Sequence, residues 1–369
     1  MVWFSRCFSA LPDPRTGNAR RHNLLDCLTI ALTATICGAE TCVDFADFAR
    51  DRRSLFAEFL ELPGGLPSHD TFSRLFRLLD PQQFATCFAR FLDELGAIGP
   101  GIIAIDGKTL RGSFDTAAGR SPLHVVSAFA ADHKLVLAQH AAGGRANEQV
   151  TAREVLRLID LQGMLVTADA LHCSAQTAAL VCERGGDWLF GLKRNCPAMH
   201  RSVASYFADP QSEYSEYTSV DADHGRIETR RHRLCHDVAW LTPQRSESDE
   251  LRMRGLASIA MVEAHVEQAG KITTSRRYYL SSATLTPERL AHAVRAHWSI
   301  EAMHWILDTS FNEDRARNRA DHGPENLATL RKLALNVLQS ARPDISIRRK
   351  RKRSGWSDEF ARSILGQMR

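Results

Sequence analysis

In residues 295–308, Arg-Ala-His-Trp-Ser-Ile-Glu-Ala-Met-His-Trp-Ile-Leu-Asp, the polar side chains His297, Glu301, His304 and Asp308 recur every three or four positions. Residues so spaced share one face of a helix. Trp298, Ile300, Ile306 and Leu307 supply packing bulk around that stripe. A carboxylate in such a segment needs a purpose, and Asp106 and Asp169 suggest one, since each follows a short apolar, β-like run. Three acids delivered by two strands and a helix can hold a pair of Mg²⁺ or Mn²⁺ ions. Two-metal phosphoryl chemistry uses hard oxygen ligands around ions roughly 3.5–4 Å apart. One ion activates an attacking water or 3′-hydroxyl, and the other stabilises the leaving oxygen. A lone Asp after a strand is more often a turn or helix cap. Three acids in this order weigh against that simpler explanation.

The elements that must position them follow from hydrophobic period. Residues 23–95 are helical in pattern, with Leu24, Leu25, Leu28, Ile30 and Leu32 first and Phe45, Phe48, Leu55, Phe56, Phe59 and Leu60 after them. Breaks fall at Pro63-Gly64-Gly65 and Asp80-Pro81, and Phe84, Phe88, Phe91 and Leu92 form the last stripe. The period then changes. Strands are predicted over 102–105, 123–131, 135–141, 164–168 and 188–192, and helices over 147–161 and 174–183. Three strands, helix, strand, helix, strand is the order of a ribonuclease-H-like α/β core, a mixed sheet flanked by helices. Residues 214–220, 227–234, 258–266 and 277–282 are predicted as further strands. The expected division is a helical N-terminal domain (1–98), a first part of the core (99–193) and a β-rich insertion (194–286). The last catalytic helices (287–340) and a basic C-terminal tail (341–369) complete it.

Composition narrows the function classes. The 369 residues are 44% hydrophobic and 24% charged, as in a soluble globular protein. The apolar run 27–39 is too short for a membrane span, and no secretory signal is expected at the N-terminus. Nine scattered cysteines without a Cys-x-x-Cys pair argue against a zinc-cysteine site and fit a reducing cytoplasm. Net charge is only +4, but basic residues cluster at 226–233, at Arg315, Arg317 and Arg319, and in the unbroken run 348–353. Such patches point to a polyanion partner.

Several motifs, in order, resemble one family. Asp-Pro-Arg (13–15), Pro-Ser-His-Asp-Thr-Phe-Ser-Arg (67–74) and Ile-Asp-Gly-Lys-Thr-Leu-Arg-Gly-Ser (105–113) carry the resemblance. So do Thr-Ala-Asp-Ala-Leu-His-Cys (167–173), Gly-Gly-Asp-Trp-Leu-Phe-Gly-Leu-Lys (185–193), Asp-His-Gly-Arg-Ile-Glu (223–228) and His-Trp-Ser-Ile-Glu-Ala-Met-His-Trp-Ile-Leu-Asp (297–308). The chain resembles the insertion-sequence DDE transposases of the H-repeat-associated, ISAs-type group, which belong with ribonuclease-H-like transposases and integrases. The resemblance implies Asp106, Asp169 and Glu301 as the catalytic, metal-binding triad and Mg²⁺ or Mn²⁺, two ions, as cofactor. It implies DNA as substrate (terminal inverted repeats and target), a homodimer on that DNA, and a bacterial, nucleoid-associated location. The wider superfamily has Tyr, Arg, Glu and Lys around the last acid; here Val294, His297 and Asp308 replace all but the Glu.

DNA contacts are accordingly expected from Lys108, Arg111, Lys193 and His297, with His172, His304 and Asp308 around the ligands. Glu313 and Asp314 are alternatives for the third acid, or partners for Arg315 and Arg317. Glu301 and His304 also spell the Glu-x-x-His of di-iron bundles, but those need a second copy, and none occurs. Two other functions stay open: a non-catalytic DNA-binding relic or regulator, and a ribonuclease-H-like nuclease without strand transfer.

Overall fold

The computed structural model describes every residue except 1, 97, 117, 144–146, 224–225, 242–252 and 367–369. His224 and Gly225 of the 223–228 motif therefore lie outside the described residues. The N-terminal helices are α1 (Val2–Phe8), α2 (Leu24–Ile36), α3 (Cys42–Asp51), α4 (Arg53–Ala57), α5 (His69–Leu78) and α6 (Pro81–Leu95). Side-chain caps start most of them. Asn23, Ser68 and Asp80 accept backbone N–H groups at the heads of α2, α5 and α6, and Thr41 with Asp44 forms a capping box on α3. Helix α1 lies outside the expected elements, although Phe4 and Phe8 sit four residues apart. Their rings stack at 4.5 Å and present edges to Phe91 and Phe84 of α6.

The Asp-Pro-Arg motif explains itself here. Arg15 is buried, and its guanidinium grips Asp13 through two bonds of 2.9 and 2.8 Å while donating to the His22 carbonyl at 2.7 Å. Burial works against the Asp13 anion, but Arg15 outweighs it and lowers the carboxyl's pKa.

The remaining elements are β1 (Ile102–Leu110), β2 (Leu123–Ala130), β3 (Leu135–Ala142), α7 (Glu148–Arg157), β4 (Leu165–Ala168), α8 (Ala175–Glu183) and β5 (Asp187–Leu192). Then come α9 (Pro197–Ala208), β6 (Ser215–Asp223), β7 (Arg226–Cys235), β8 (Ser258–Gln268) and β9 (Lys271–Ser281). Five helices close the chain: α10 (Pro287–His297), α11 (Ser299–Ser310), α12 (Gly323–Ser340), α13 (Ile347–Trp356) and α14 (Asp358–Gly366). The nine strands among the described residues form one mixed sheet in the order β3-β2-β1-β4-β5-β9-β8-β7-β6. β1, β4 and β5 are parallel, and every other pairing is antiparallel.

Strands β6–β9 thus extend the core sheet from its β5 edge. Leu234, Ala260 and Val262 of these strands share an apolar cluster with Ile102, Leu165 and Leu189 of the core and with Leu290, Ala293 and Val294 of α10. Helix α10 consequently rests on a floor that the residue 194–286 segment helps to build. Helix α12 packs against α2, α5, α6 and β3, so the N-terminal helices and the sheet share one hydrophobic core. The basic run 348–353 is α13, not a loose tail. Lys350 donates to the Leu338 and Ala341 carbonyls, and Arg351 donates to those of Thr35 and Ala39.

Replacing Asp13 with Ala strands the buried Arg15 charge and should cost about 3 kcal/mol of unfolding free energy. Urea denaturation checks this; a midpoint equal to the parent's would show that the motif is not a structural clamp.

Candidate active site

Asp106 and Asp169 are brought together by strand register. β1 and β4 pair in parallel with Ile105 opposite Ala168, so the next residues, Asp106 and Asp169, leave that pairing side by side. Asp169 ends β4, as anticipated, and caps the following turn by accepting the Leu171 N–H at 2.8 Å. Asp106 does not end its strand. β1 runs on to Leu110 because β2 continues to pair with it after β4 has turned away. Burial pushes the Asp106 carboxyl up to about 6, and the negative charges of Asp169 and Glu148 push the same way.

The polar stripe belongs to two helices rather than one, with Trp298 at their junction. Arg277 of β9 lies 4.5 Å over the Trp298 ring and ties the junction to the extended sheet. Three members of the stripe meet the strands. His297 Nδ1 is 3.2 Å from the Thr167 hydroxyl, His304 Nδ1 is 3.6 Å from Asp106 Oδ2, and Asp308 pairs with Lys108. Burial lowers His297 to about 4 and His304 to about 3, so both imidazoles are neutral at pH 7. Glu301 lies on the same stripe between the two histidines, exposed, and makes no hydrogen bond or ion pair among the described residues.

The flanking charges arrange themselves differently from the simple expectation. Lys108 is half-buried between Asp308 and Asp314, its Nζ 3.3 Å from the latter. Its charge is therefore spent inside the protein. Asp314 also faces Arg111 at 3.4 Å, and Glu313 lies buried 3.9 Å from Arg331, so neither acid takes Arg315 or Arg317 as partner. Gly112 makes the approach possible: a Cβ there would sit 2.5 Å from the Ala316 carbonyl oxygen. Arg111 and Lys193 keep exposed head groups, Lys193 Nζ lying 3.8 Å from Asp169 Oδ2.

Sequence reasoning passed over Glu148. This buried carboxylate meets His124 Nε2 at 2.8 Å and His172 Nε2 at 3.3 Å, the second contact lying outside hydrogen-bond geometry. Burial opposes its ionisation, but the two imidazoles outweigh burial and hold it at about 2. In sequence it is one acid in the first turn of a helix, which ordinarily means a favourable charge at the dipole's positive end.

Among the described residues, no group of three or more His, Cys, Asp or Glu is already placed to hold a metal ion. The donor set nonetheless fits a hard divalent cation. Two carboxyls repel one another across adjacent strands, and Glu301, with no hydrogen bond or ion pair among the described residues, stands on the helix whose His304 faces Asp106. The Glu301 side chain breaks no existing bond in turning toward the pair.

Residues 98–337 match the family described as Transposase DDE domain, and residues 5–92 match the region described as DDE_Tnp_1-associated. YncI of Escherichia coli O157:H7, named as a candidate transposase, is 32% identical over 97% of this chain and 93% of its own length. YhhI of Escherichia coli strain K12, named as an H repeat-associated transposase candidate, is 31% identical over 97% of this chain and 96% of its own. A cryo-EM structure of the piggyBac transposase synaptic complex with hairpin DNA aligns with a TM-score of 0.44 and 11% identity, over 99% of this chain and 78% of that one.

Replacing Asp106 with Asn should stabilise the metal-free protein at neutral pH. The native carboxyl titrates near 6 rather than its usual 3.8, so ionising it penalises the fold above that range. The penalty is about 3 kcal/mol at most, and partial exposure reduces it to roughly 2 kcal/mol. Melting curves from pH 8 to pH 4 should show the Asn variant's advantage hold down to about pH 6 and fade from there toward the ordinary value of 3.8. A constant or reversed difference would contradict this electrostatic reading.

Proposed function

The chain belongs to the DDE transposase family, and we propose that it cuts the ends of its own insertion sequence and joins them to target DNA. Adjacency of Asp106 and Asp169 at the fork between β1, β2 and β4 is the observation that carries this reading. The strand order β3-β2-β1-β4-β5 supports treating the core as ribonuclease-H-like. Asp106, Asp169 and Glu301 would hold Mg²⁺ or Mn²⁺, which when bound activates the attacking oxygen and neutralises charge on the scissile phosphate.

Water first displaces the DNA 3′-oxygen at an element end. The liberated 3′-hydroxyl then attacks a target phosphodiester in line, forming one P–O bond as another breaks. No enzyme-linked intermediate is needed, so no Ser, Tyr or Cys nucleophile is assigned. Lys193 and Arg111, exposed beside Asp169 and Asp314, are suited to hold substrate phosphates. Lys108 instead fixes Asp308 and the 313–315 turn relative to β1. His297 and His304, neutral at working pH, orient rather than neutralise. The helical 1–98 region, and Arg348, Arg349, Lys352 and Arg353 on the exposed side of α13, would bind flanking DNA. Bringing two ends together calls for two copies of the chain. No helix among the described residues is long and apolar enough to cross a membrane.

Labelled element ends incubated with the protein and Mg²⁺ should yield strand-transfer product on a gel. Asp106→Ala, Asp169→Ala and Glu301→Ala should each reduce product to background while still retarding the DNA. Cleavage without joining would assign a nuclease, and retardation without cutting a DNA-binding regulator. Undiminished cutting by Glu301→Ala would remove Glu301 from the triad.

A further inference from the structure

Behind β1, on the face opposite Asp106, a line of polar side chains crosses four elements. The Thr109 hydroxyl lies 2.9 Å from His124 Nδ1, and His124 Nε2 lies 2.8 Å from Glu148 Oε2. Glu148 Oε1 lies 3.3 Å from His172 Nε2, in the turn that begins at Asp169. His124, Glu148 and His172 are all buried. The next residue on α7, Gln149, donates to the Leu171 carbonyl at 2.6 Å and grips the same turn. The contact to β1 is tight: a Cβ on Gly107 would come within 2.5 Å of His124 Nε2 and 2.6 Å of Glu148 Oε1. Glycine beside Asp106 is what lets the carboxylate press against the strand.

A buried carboxylate between two imidazoles is a costly way to join a helix to a sheet, and apolar side chains would do so more simply. This line connects the strand of Asp106 with the turn of Asp169 beyond the end of the β1–β4 pairing. Outer groups that fix ligand carboxylates are known to govern metal affinity. We propose that Glu148, braced by His124 and pressing on His172, is a positioning residue that sets the spacing of Asp106 and Asp169. It rests on the metal-binding reading above. Glu148 touches neither substrate nor cation; it acts through the backbone of residues 106–109 and 169–173.

The test compares full-length parent, Glu148→Gln, Glu148→Ala and Asn326→Ala. Asn326 is a buried residue of α12 whose amide holds the Phe76 and Leu79 carbonyls, and its loss is purely structural. Two readouts apply: Mn²⁺ affinity by titration calorimetry, and hydrogen exchange of the Leu171, His172 and Cys173 amides without metal. Both Glu148 variants should bind Mn²⁺ about 10- to 100-fold more weakly. Their turn amides should exchange at least about tenfold faster, as local opening becomes easier. Asn326→Ala should lower the melting temperature and leave both readouts unchanged. Should Glu148→Ala fail to fold, the volume-conserving Gln variant decides. Parental affinity or parental exchange in a folded Glu148 variant would overturn the proposal. If the parent itself binds no Mn²⁺, the metal-binding reading fails, and exchange alone then upholds or overturns the brace.

Discussion

Two ionisable carboxyls leave adjacent parallel strands at the same level, immediately after the last paired residues of the backbone ladder. Parallel pairing of β1 with β4 spans four residue pairs and ends where β4 turns at Asp169 while β1 continues along β2. At that fork, burial and mutual repulsion raise Asp106 to about 6. Rigid placement of like charges is unfavourable in an empty protein and favourable beside a cation, which is why such a fork suits phosphoryl chemistry. The surroundings adapt to it: Glu148 and its imidazoles behind β1, the neutral His304 in front, and Lys108 compensated by Asp308 and Asp314.

The same constraint gives the residue 194–286 segment a physical role. Helix α10 rests on an apolar floor to which β7 and β8 add Leu234, Ala260 and Val262 beside the core's Ile102, Leu165 and Leu189. Arg277 lies over Trp298 at the junction of α10 and α11, three residues before Glu301. Charge is also partitioned. Lys350, Arg351, Arg331 and Lys332 are buried within the helical layer, so only part of the basic surplus faces solvent. Net charge alone overstates what is left for a polyanion.

Much of this was legible in the sequence. Apolar and alternating runs found seven of the nine described strands close to their observed limits, because burial writes itself into the hydrophobic pattern. β1 outruns its expected end at Ile105 because β2 keeps pairing with it as far as Leu110. β9 extends well before its expected start, its exposed early residues Lys271–Arg276 carrying little apolar signal. Helix α9 was hidden behind Pro197, with only Met199, Val203 and Phe207 marking its buried side. The stripe His297–Glu301–His304–Asp308 was readable because helical spacing is local. Pairings such as Lys108 with Asp308 are not local, since they depend on how far β1 outruns β4. Glu148 stayed hidden for the same reason: its significance comes from His124 and His172, which lie 24 residues away on either side.

The most direct measurement is anomalous diffraction from crystals of the protein soaked in Mn²⁺. A peak ligated by carboxylate oxygens of both Asp106 and Asp169, with Glu301 turned toward it, is the expected result. Ordered Mn²⁺ bound elsewhere, with Asp106 and Asp169 free of it at saturating concentration, would contradict the account.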